Sequence, residues 1–309
     1  MSKSTESTTV EAVENEATTS SIQHTPTLLQ SYLKTLRVPT MWREASTVAR
    51  QIAEHDGSYE LYLQQLAELE VQQRKAGAIA RRLKQAQFPV NKEVGDFDFT
   101  AVPKLNKKRM VDLAQCNFIN LRSNIIFNGP PGTGKTHLAI ALGREACRRG
   151  YKAKFFTASG LANLYREARE ERQILKLEKQ IQKLDVIIMD ELGYIPLDRQ
   201  GAEHLFGFFS QCYEQVSLVV TTNLPFVDWP QIFANDQRMT GALLDRLTHH
   251  VHIIAIDGDS FRLKANIKNK KAATGTKPAK ASKAPSTANT GNANAKPNQP
   301  RKGAIPPSK

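Results

Sequence analysis

A run of eight residues near the middle of the chain has the types and spacing that bind a polyphosphate. It follows an apolar stretch and fits the G-x-x-x-x-G-K-[ST] pattern. Glycines let such a loop turn its backbone N–H groups toward phosphate oxygens, and the helix that follows adds the positive end of its dipole. We therefore predict that ATP binds here, with the following residues in contact: Gly129, Pro130, Pro131, Gly132, Thr133, Gly134, Lys135, Thr136 and His137.

Two members of this run have specific expected roles. Lys135 is expected to reach the β- and γ-phosphates, and the Thr136 hydroxyl to complete the shell of a Mg²⁺ ion. A second motif supports the metal, because a later apolar strand ends in Asp190 and Glu191. We expect Asp190 to organise Mg²⁺, directly or through water, and Glu191 to polarise the attacking water. The alternative for Glu191 is a solvated acid at a strand end.

Polar residues after the next two predicted elements could complete a catalytic site. Asn223 follows an apolar strand and is predicted to sense the γ-phosphate, although an Asn-Leu-Pro turn could simply end that strand. Arg246 lies on a short predicted helix and could insert into a neighbouring subunit's site to offset transition-state charge. The alternative interpretation is that Arg246 only forms a surface ion pair with Asp245. Arg262 is a lesser candidate for sensing the γ-phosphate.

The elements that must position these residues alternate between strand and helix. Short, continuously apolar strands are predicted at residues 124–127, 152–157, 186–189, 218–222 and 251–256. Such strands are typical of a parallel sheet covered by helices on both faces, so we predict an α/β fold with three αβα layers. A helix is also predicted around residues 105–118, just before the first strand.

The remaining sequence divides into segments of different composition. We predict disorder for residues 1–24, a small all-α N-terminal domain for partner or DNA binding at residues 25–88, and an ATPase domain at residues 89–264. Residues 265–309 are predicted to be a disordered basic tail. The helical domain ends in a basic face that includes Arg81 and Arg82, where phosphate contact and a solvated helix face are equally reasonable interpretations.

Charge and cysteine content limit the class of protein. The net charge is +13, but eleven Lys or Arg residues and no acid follow from Lys264 onward, which leaves +2 for residues 1–263. Three cysteines occur without paired or metal-like spacing, and neither a signal peptide nor a long apolar run is present. We therefore expect a reduced, cytoplasmic protein with no membrane partner.

The assembled motifs resemble those of the IstB-type ATPases, helpers encoded beside the transposase in two-gene insertion sequences. The resemblance rests on the phosphate loop through Ala139 and on three later runs, which begin at Met189, Thr221 and Leu244. It implies an AAA+ domain with sheet order 5-1-4-3-2 and an ATPase that needs Mg²⁺ and is stimulated by DNA and by assembly. It also implies a homo-oligomer, a ring or spiral, that assembles on duplex DNA and recruits a transposase. The alternative client is a replicative helicase, because the family also resembles the helicase loader DnaC.

The resemblance also implies a DNA contact surface on the insertion at residues 165–183. Glutamates interleave with the basic residues there, so intrahelical ion pairs are the alternative interpretation. The basic residues of the insertion are Arg166, Arg169, Arg172, Lys176, Lys179 and Lys183.

Overall fold

The structure is a computed structural model that describes residues 26–258, 260 and 261. Its first part consists of three helices, α1 (Pro26–Thr35), α2 (Pro39–Glu54) and α3 (Tyr59–Ala86). Pro39 occupies the first position of α2, where a missing N–H costs nothing, and the Ser58 hydroxyl accepts a hydrogen bond from the Leu61 amide at the start of α3. The predicted disordered segment 1–24, the predicted tail 265–309 and Arg262 lie outside the described residues.

A buried carboxylate holds the first three helices together. Glu70 of α3 is 5% exposed, and its Oε2 accepts hydrogen bonds from the amides of Thr40 (2.8 Å) and Met41 (3.3 Å) at the start of α2. Its other oxygen accepts one from Arg74, which also donates to the Arg37 carbonyl. Burial raises the pKa of Glu70, but the hydrogen bonds from Arg74, Thr40 and Met41 outweigh it, so the pKa is lowered.

The rest of the described chain is organised around one five-stranded sheet. Every strand pair is parallel, and the order is β2-β3-β4-β1-β5, which is the predicted order 5-1-4-3-2 read from the other edge. The α/β fold class is therefore confirmed. The strands are β1 (Asn124–Asn128), β2 (Ala153–Thr157), β3 (Val186–Leu192), β4 (Ser217–Thr222) and β5 (Val251–Ala255).

Alternate residues of the strands pack into two separate hydrophobic cores, one on each face of the sheet. Val186 and Ile188 of β3 enter one core, whereas Ile187 and Met189 enter the other, as the period of two requires. The first core is covered by α4 (Lys107–Leu113), α5 (Asn117–Asn120) and α6 (Lys135–Arg148) together with the end of α3. The second is covered by α7 (Ala158–Glu170), α8 (Ile174–Ile181), α9 (Arg199–Cys212) and α10 (Gln237–Thr248).

The prediction of one helix around residues 105–118 is wrong in detail, because two short helices, α4 and α5, occupy that stretch. The chain reverses between them, where Cys116 adopts φ +61° and its amide bonds back to the Leu113 carbonyl. Met110 on α4 and Phe118 on α5 are both buried in the same core. Cys116, Cys147 and Cys212 are all buried and unpaired.

None of the helices in the described part of the chain is both long and apolar enough to span a bilayer.

Candidate functional site

The phosphate loop joins the end of β1 to the start of α6 through glycines in left-handed conformations. Gly134 has φ +94° at the N-cap of α6, and a Cβ atom there would lie 2.5 Å from Cε2 of Phe97. A Cβ on Gly129 would lie 2.0 Å from the Ile256 carbonyl oxygen, which follows β5. Glycine is therefore needed at both positions. At Gly134 it allows the left-handed turn, and at Gly129 it allows the close approach of the segment that follows β5.

The loop lysine is held at the site by the loop's own backbone. Lys135 is 9% exposed, and its Nζ donates hydrogen bonds to the carbonyls of Gly129 (2.7 Å) and Pro130 (2.8 Å). The Thr133 hydroxyl donates to the Pro130 carbonyl at 2.9 Å. The loop is thus preformed, with its ammonium group at the N-terminus of α6, where an anion is favoured.

A hydroxyl–carboxylate contact joins the two predicted metal residues. Thr136 Oγ1 donates to Oδ1 of Asp190 at 2.9 Å, and Asp190 is 4% exposed. Thr221 Oγ1 of β4 donates to the same carboxylate oxygen at 2.5 Å. A buried carboxylate and a hydroxyl on adjacent elements are the oxygen ligands that Mg²⁺ uses when phosphates supply the rest of its shell. The residues present therefore fit the predicted metal.

Glu191 sits in a β-bulge that turns it out of the sheet. Met189 pairs with Val220 and Leu192 pairs with Thr222, so Asp190 and Glu191 together oppose the single residue Thr221. Glu191 has φ +61° and is the one exposed residue of β3. The two acids consequently differ, because Asp190 is buried against the phosphate-loop helix and Glu191 faces solvent at the same edge.

The segment between α3 and α4 (residues 87–106), the covering segment, lies over the phosphate loop and forms a cavity of about 380 Å³ with it. The ring of Phe97 lies over Gly134 and meets the His137 ring edge-on, with 5.4 Å between centroids. His137 Nε2 lies 2.8 Å from the Glu93 carbonyl oxygen, so this predicted ATP contact faces the covering segment while it lines the cavity. The apolar walls include Val102 and Phe261, which suit a flat aromatic base beside a polyphosphate.

Ion pairs fasten the covering segment to α6. The Glu93 carboxylate accepts hydrogen bonds from Arg144 (2.9 Å) and from Arg148, and the Arg144 side chain is only 12% exposed. The hydrogen bonds from Arg148 and Arg144 lower the pKa of Glu93. These contacts could not be predicted from the sequence, because a solitary glutamate in a turn-rich segment carries no recognisable pattern.

Asn223 lies directly after β4, at the same edge of the sheet as Asp190 and the phosphate loop. It is half-buried, and in the described structure its side chain makes no hydrogen bond within the chain. Thr222 Oγ1 accepts a hydrogen bond from the Leu224 amide (3.1 Å), so the turn is closed by the neighbouring hydroxyl and not by the Asn223 amide. The Asn223 amide group is therefore available to a ligand.

Arg246 lies at the opposite edge of the sheet from the phosphate loop. The Leu247 carbonyl beside it accepts a hydrogen bond from Nδ2 of Asn124, the first residue of β1, whereas the loop follows the last. Five strand residues separate the two edges by about 16 Å. The guanidinium stacks on Phe206 of α9, with Cζ 5.1 Å from the ring centroid, and no ion pair joins it to Asp245 among the described residues.

The candidate DNA residues of the insertion lie on α7, α8 and the turns that flank α8. All are exposed, and within the part of the chain that the structure describes none is within 4.0 Å of a carboxylate. Arg166 instead donates to Asn163 Oδ1 and Lys176 to Gln173 Oε1. The interleaved glutamates thus do not neutralise this surface through direct pairs. On α3, Arg81 is exposed, whereas Arg82 is half-buried beside the turn at Gly150.

Comparison with known proteins adds a family match over most of the chain. The family model described as IstB-like ATP binding protein matches residues 31–269. The chain is 38% identical to the ATP-binding protein of insertion sequence IS5376 from Geobacillus stearothermophilus, over 76% of this chain and 94% of that protein. It is 36% identical to the IS21 ATP-binding protein of Pseudomonas aeruginosa, over 76% of this chain and 89% of that protein. Among solved structures, AMPPCP-bound DnaA from Aquifex aeolicus is similar to this chain, with 21% sequence identity and a TM-score of 0.46. The match covers 60% of this chain and 56% of that chain.

Proposed function

The chain belongs to the family of IstB-like ATP-binding proteins, and from this premise we propose that it is a DNA-binding AAA+ ATPase that helps a transposase. It hydrolyses ATP, assembles on duplex DNA, and recruits and stimulates the transposase of its own element. The observation that best supports ATP hydrolysis is the contact between Thr136 and Asp190, with Glu191 exposed beside it. This contact brings the phosphate loop and the acidic strand end into one site.

Different residues bind the nucleotide, orient the reacting groups and accept the proton during hydrolysis. Lys135 and the amides at the start of α6 bind the phosphates, and Asn223 orients the γ-phosphate or the water. Glu191 accepts a proton from the water whose oxygen attacks the γ-phosphorus. The bond to the β–γ bridging oxygen breaks, and its electron pair leaves with ADP. When bound, Mg²⁺ supplies positive charge that offsets the charge of the phosphate oxygens, and Thr136 and Asp190 hold it.

We propose that Arg246 acts on the ATP of a neighbouring subunit. Arg246 lies beside the first residue of β1, and the length of that strand, about 16 Å, lies between this end of the sheet and the phosphate loop of the same subunit. The γ-phosphate of the same subunit is therefore out of its reach. In a homo-oligomer that stacks one subunit's loop edge against the next subunit's opposite edge, the guanidinium meets the neighbour's nucleotide. Hydrolysis then depends on assembly, since each site is completed by a second copy.

We propose that duplex DNA binds the exposed cations of α7 and α8, with Arg81 of α3 as a further contact. Their charges are unpaired with acids in the described structure, which favours attraction to phosphates over intrahelical pairing. Recognition through the backbone suits a protein that acts at targets of varied sequence. The relatives named above are ATP-binding proteins of insertion sequences, which supports a transposase as the client.

The central experiment compares the full chain with Lys135→Ala and Glu191→Gln variants in ATPase, nucleotide-binding and DNA-assembly assays. We expect Lys135→Ala to abolish ATP binding, and Glu191→Gln to bind ATP but turn it over roughly 10²–10⁴-fold more slowly, trapping oligomers on DNA. Electron micrographs should show rings or spirals on duplex DNA only when ATP and Mg²⁺ are present. Wild-type turnover by Glu191→Gln, or DNA coating that ignores nucleotide, would refute the proposal.

A further inference from the structure

We infer that Thr221 is a positioning residue that holds Glu191 in its outward conformation and thereby sets the rate of hydrolysis. This inference rests on the proposed ATPase activity. The bulge in β3 leaves Asp190 and Glu191 opposite one partner residue on β4. A bulge beside a catalytic site redirects a side chain, and something must satisfy the backbone groups that the irregular pairing disturbs.

The Thr221 hydroxyl satisfies the Glu191 amide at the bulge, and it acts as both a hydrogen-bond donor and an acceptor. It donates its proton to Oδ1 of Asp190 at 2.5 Å and accepts the amide proton of Glu191 at 3.0 Å. The residue is 2% exposed, so water cannot replace either bond easily. A single hydroxyl therefore connects the metal-binding carboxylate to the backbone of the candidate general base.

The two bonds are not equally replaceable. Asp190 Oδ1 also accepts a hydrogen bond from Thr136, so it keeps one donor if Thr221 is lost. The single amide hydrogen of Glu191 is directed at the Thr221 oxygen, and Glu191 adopts φ +61°, a conformation that non-glycine residues adopt only when their surroundings hold it. Loss of the hydroxyl therefore acts mainly on Glu191.

The test uses the full chain with an isosteric and a conservative substitution. Thr221→Val removes the hydroxyl at constant shape, Thr221→Ser keeps it, and Thr240→Val is the matched control, because Thr240 is a 1% exposed threonine whose hydroxyl donates only to the Asp236 carbonyl on α10. We expect Thr221→Val to lower kcat roughly 10-fold or more with KM for ATP changed by less than about 3-fold. Thr221→Ser and Thr240→Val should stay within about 3-fold of wild type.

A measurement without nucleotide separates this inference from the proposed activity. Residue-resolved hydrogen exchange should show the Glu191 amide exchanging roughly 10-fold or more faster in Thr221→Val, with protection restored in Thr221→Ser. If the wild type hydrolyses no ATP while this pattern appears, the proposed function fails and the structural part of the inference stands. Unchanged exchange together with unchanged kcat in Thr221→Val overturns the inference even if the wild type is an active ATPase.

A double-mutant cycle tests whether Thr221 acts through Glu191. In the Glu191→Gln background, Thr221→Val should change kcat by less than about 3-fold, because the base it positions is already absent. Full additivity of the two losses would contradict the inference. If valine prevents folding, Thr221→Cys provides the same test, since a thiol is a weak donor and acceptor of similar size.

Discussion

Replacement of Gly134 by alanine tests directly whether the covering segment packs on the phosphate loop. The new Cβ would meet the Phe97 ring at 2.5 Å, and Gly134 has φ +94°, where an L side chain is strained. The strain costs roughly 1–2 kcal/mol, and overpacking of this kind costs typically about 1–3 kcal/mol. We therefore expect Gly134→Ala to lower the free energy of unfolding by about 2–5 kcal/mol, a large part of the roughly 5–15 kcal/mol of a typical domain.

The assay is urea unfolding of the full chain without nucleotide, in a cycle with Phe97→Ala. Removal of the ring should relieve the collision but not the backbone strain, so the double variant should be more stable than additivity predicts by about 1–3 kcal/mol. Gly241→Ala is the control, because Gly241 lies on α10 with nothing within 4 Å of its added Cβ. Alanine there should stabilise the helix by about 0.5–1 kcal/mol.

Two results would refute this reasoning about the loop. One is additivity of Gly134→Ala and Phe97→Ala within about 0.5 kcal/mol, which would mean that the ring does not lie over the glycine. The other is a Gly134→Ala variant as stable as Gly241→Ala, which would mean that neither the contact nor the backbone conformation is as described.

Three further predictions concern assembly, acid stability and DNA binding. Arg246→Ala subunits mixed with Lys135→Ala subunits should recover part of the ATPase activity that each lacks alone, and no recovery at any ratio excludes a shared site. Glu70→Gln should destabilise the fold by about 1–3 kcal/mol at pH 7 in urea titrations. Because the pKa of Glu70 is lowered in the fold, its stabilisation is present above the unfolded value of about 4.3 and is lost as the pH falls through the folded value, so the difference from wild type should shrink toward pH 3. Joint substitution of Lys176 and Lys179 by glutamine should reduce the slope of log K against log salt by about 2 in duplex-DNA titrations, and an unchanged slope contradicts their contact with phosphates.

Local patterns were sufficient to predict the strands and the residues that follow them. The phosphate loop follows β1, and Asp190 lies near the carboxyl end of β3. Parallel strands bring their carboxyl ends to one edge, so the Thr136–Asp190 contact is the expected result of that topology. The sheet order itself came from the family resemblance, since apolar strands of similar length do not specify their neighbours. The break at Cys116 could not be predicted, because Cys116 has φ +61° and cysteine is not one of the residue types that mark a turn.

Contacts between residues far apart in the sequence determine the features that could not be predicted, such as the surroundings of Thr221 and Arg246. Thr221 was part of a recognised run, yet its role depends on a register shift in β3, which no local pattern encodes. The stacking of Arg246 on Phe206 joins two helices that are far apart in sequence. The roles of Glu191, Asn223 and Arg246 in hydrolysis stay predictions, as does the division of the chain into its four segments.

Helix α3 connects the five-stranded sheet to the first two helices. Its 28 residues extend about 42 Å, and its last turn is tied to the sheet by Lys154 of β2, whose Nζ donates to Gln85 O (3.2 Å) and Gln87 Oε1 (2.7 Å). A tilt of α3 by about 10° about that tie would move its N-terminal end by about 7 Å.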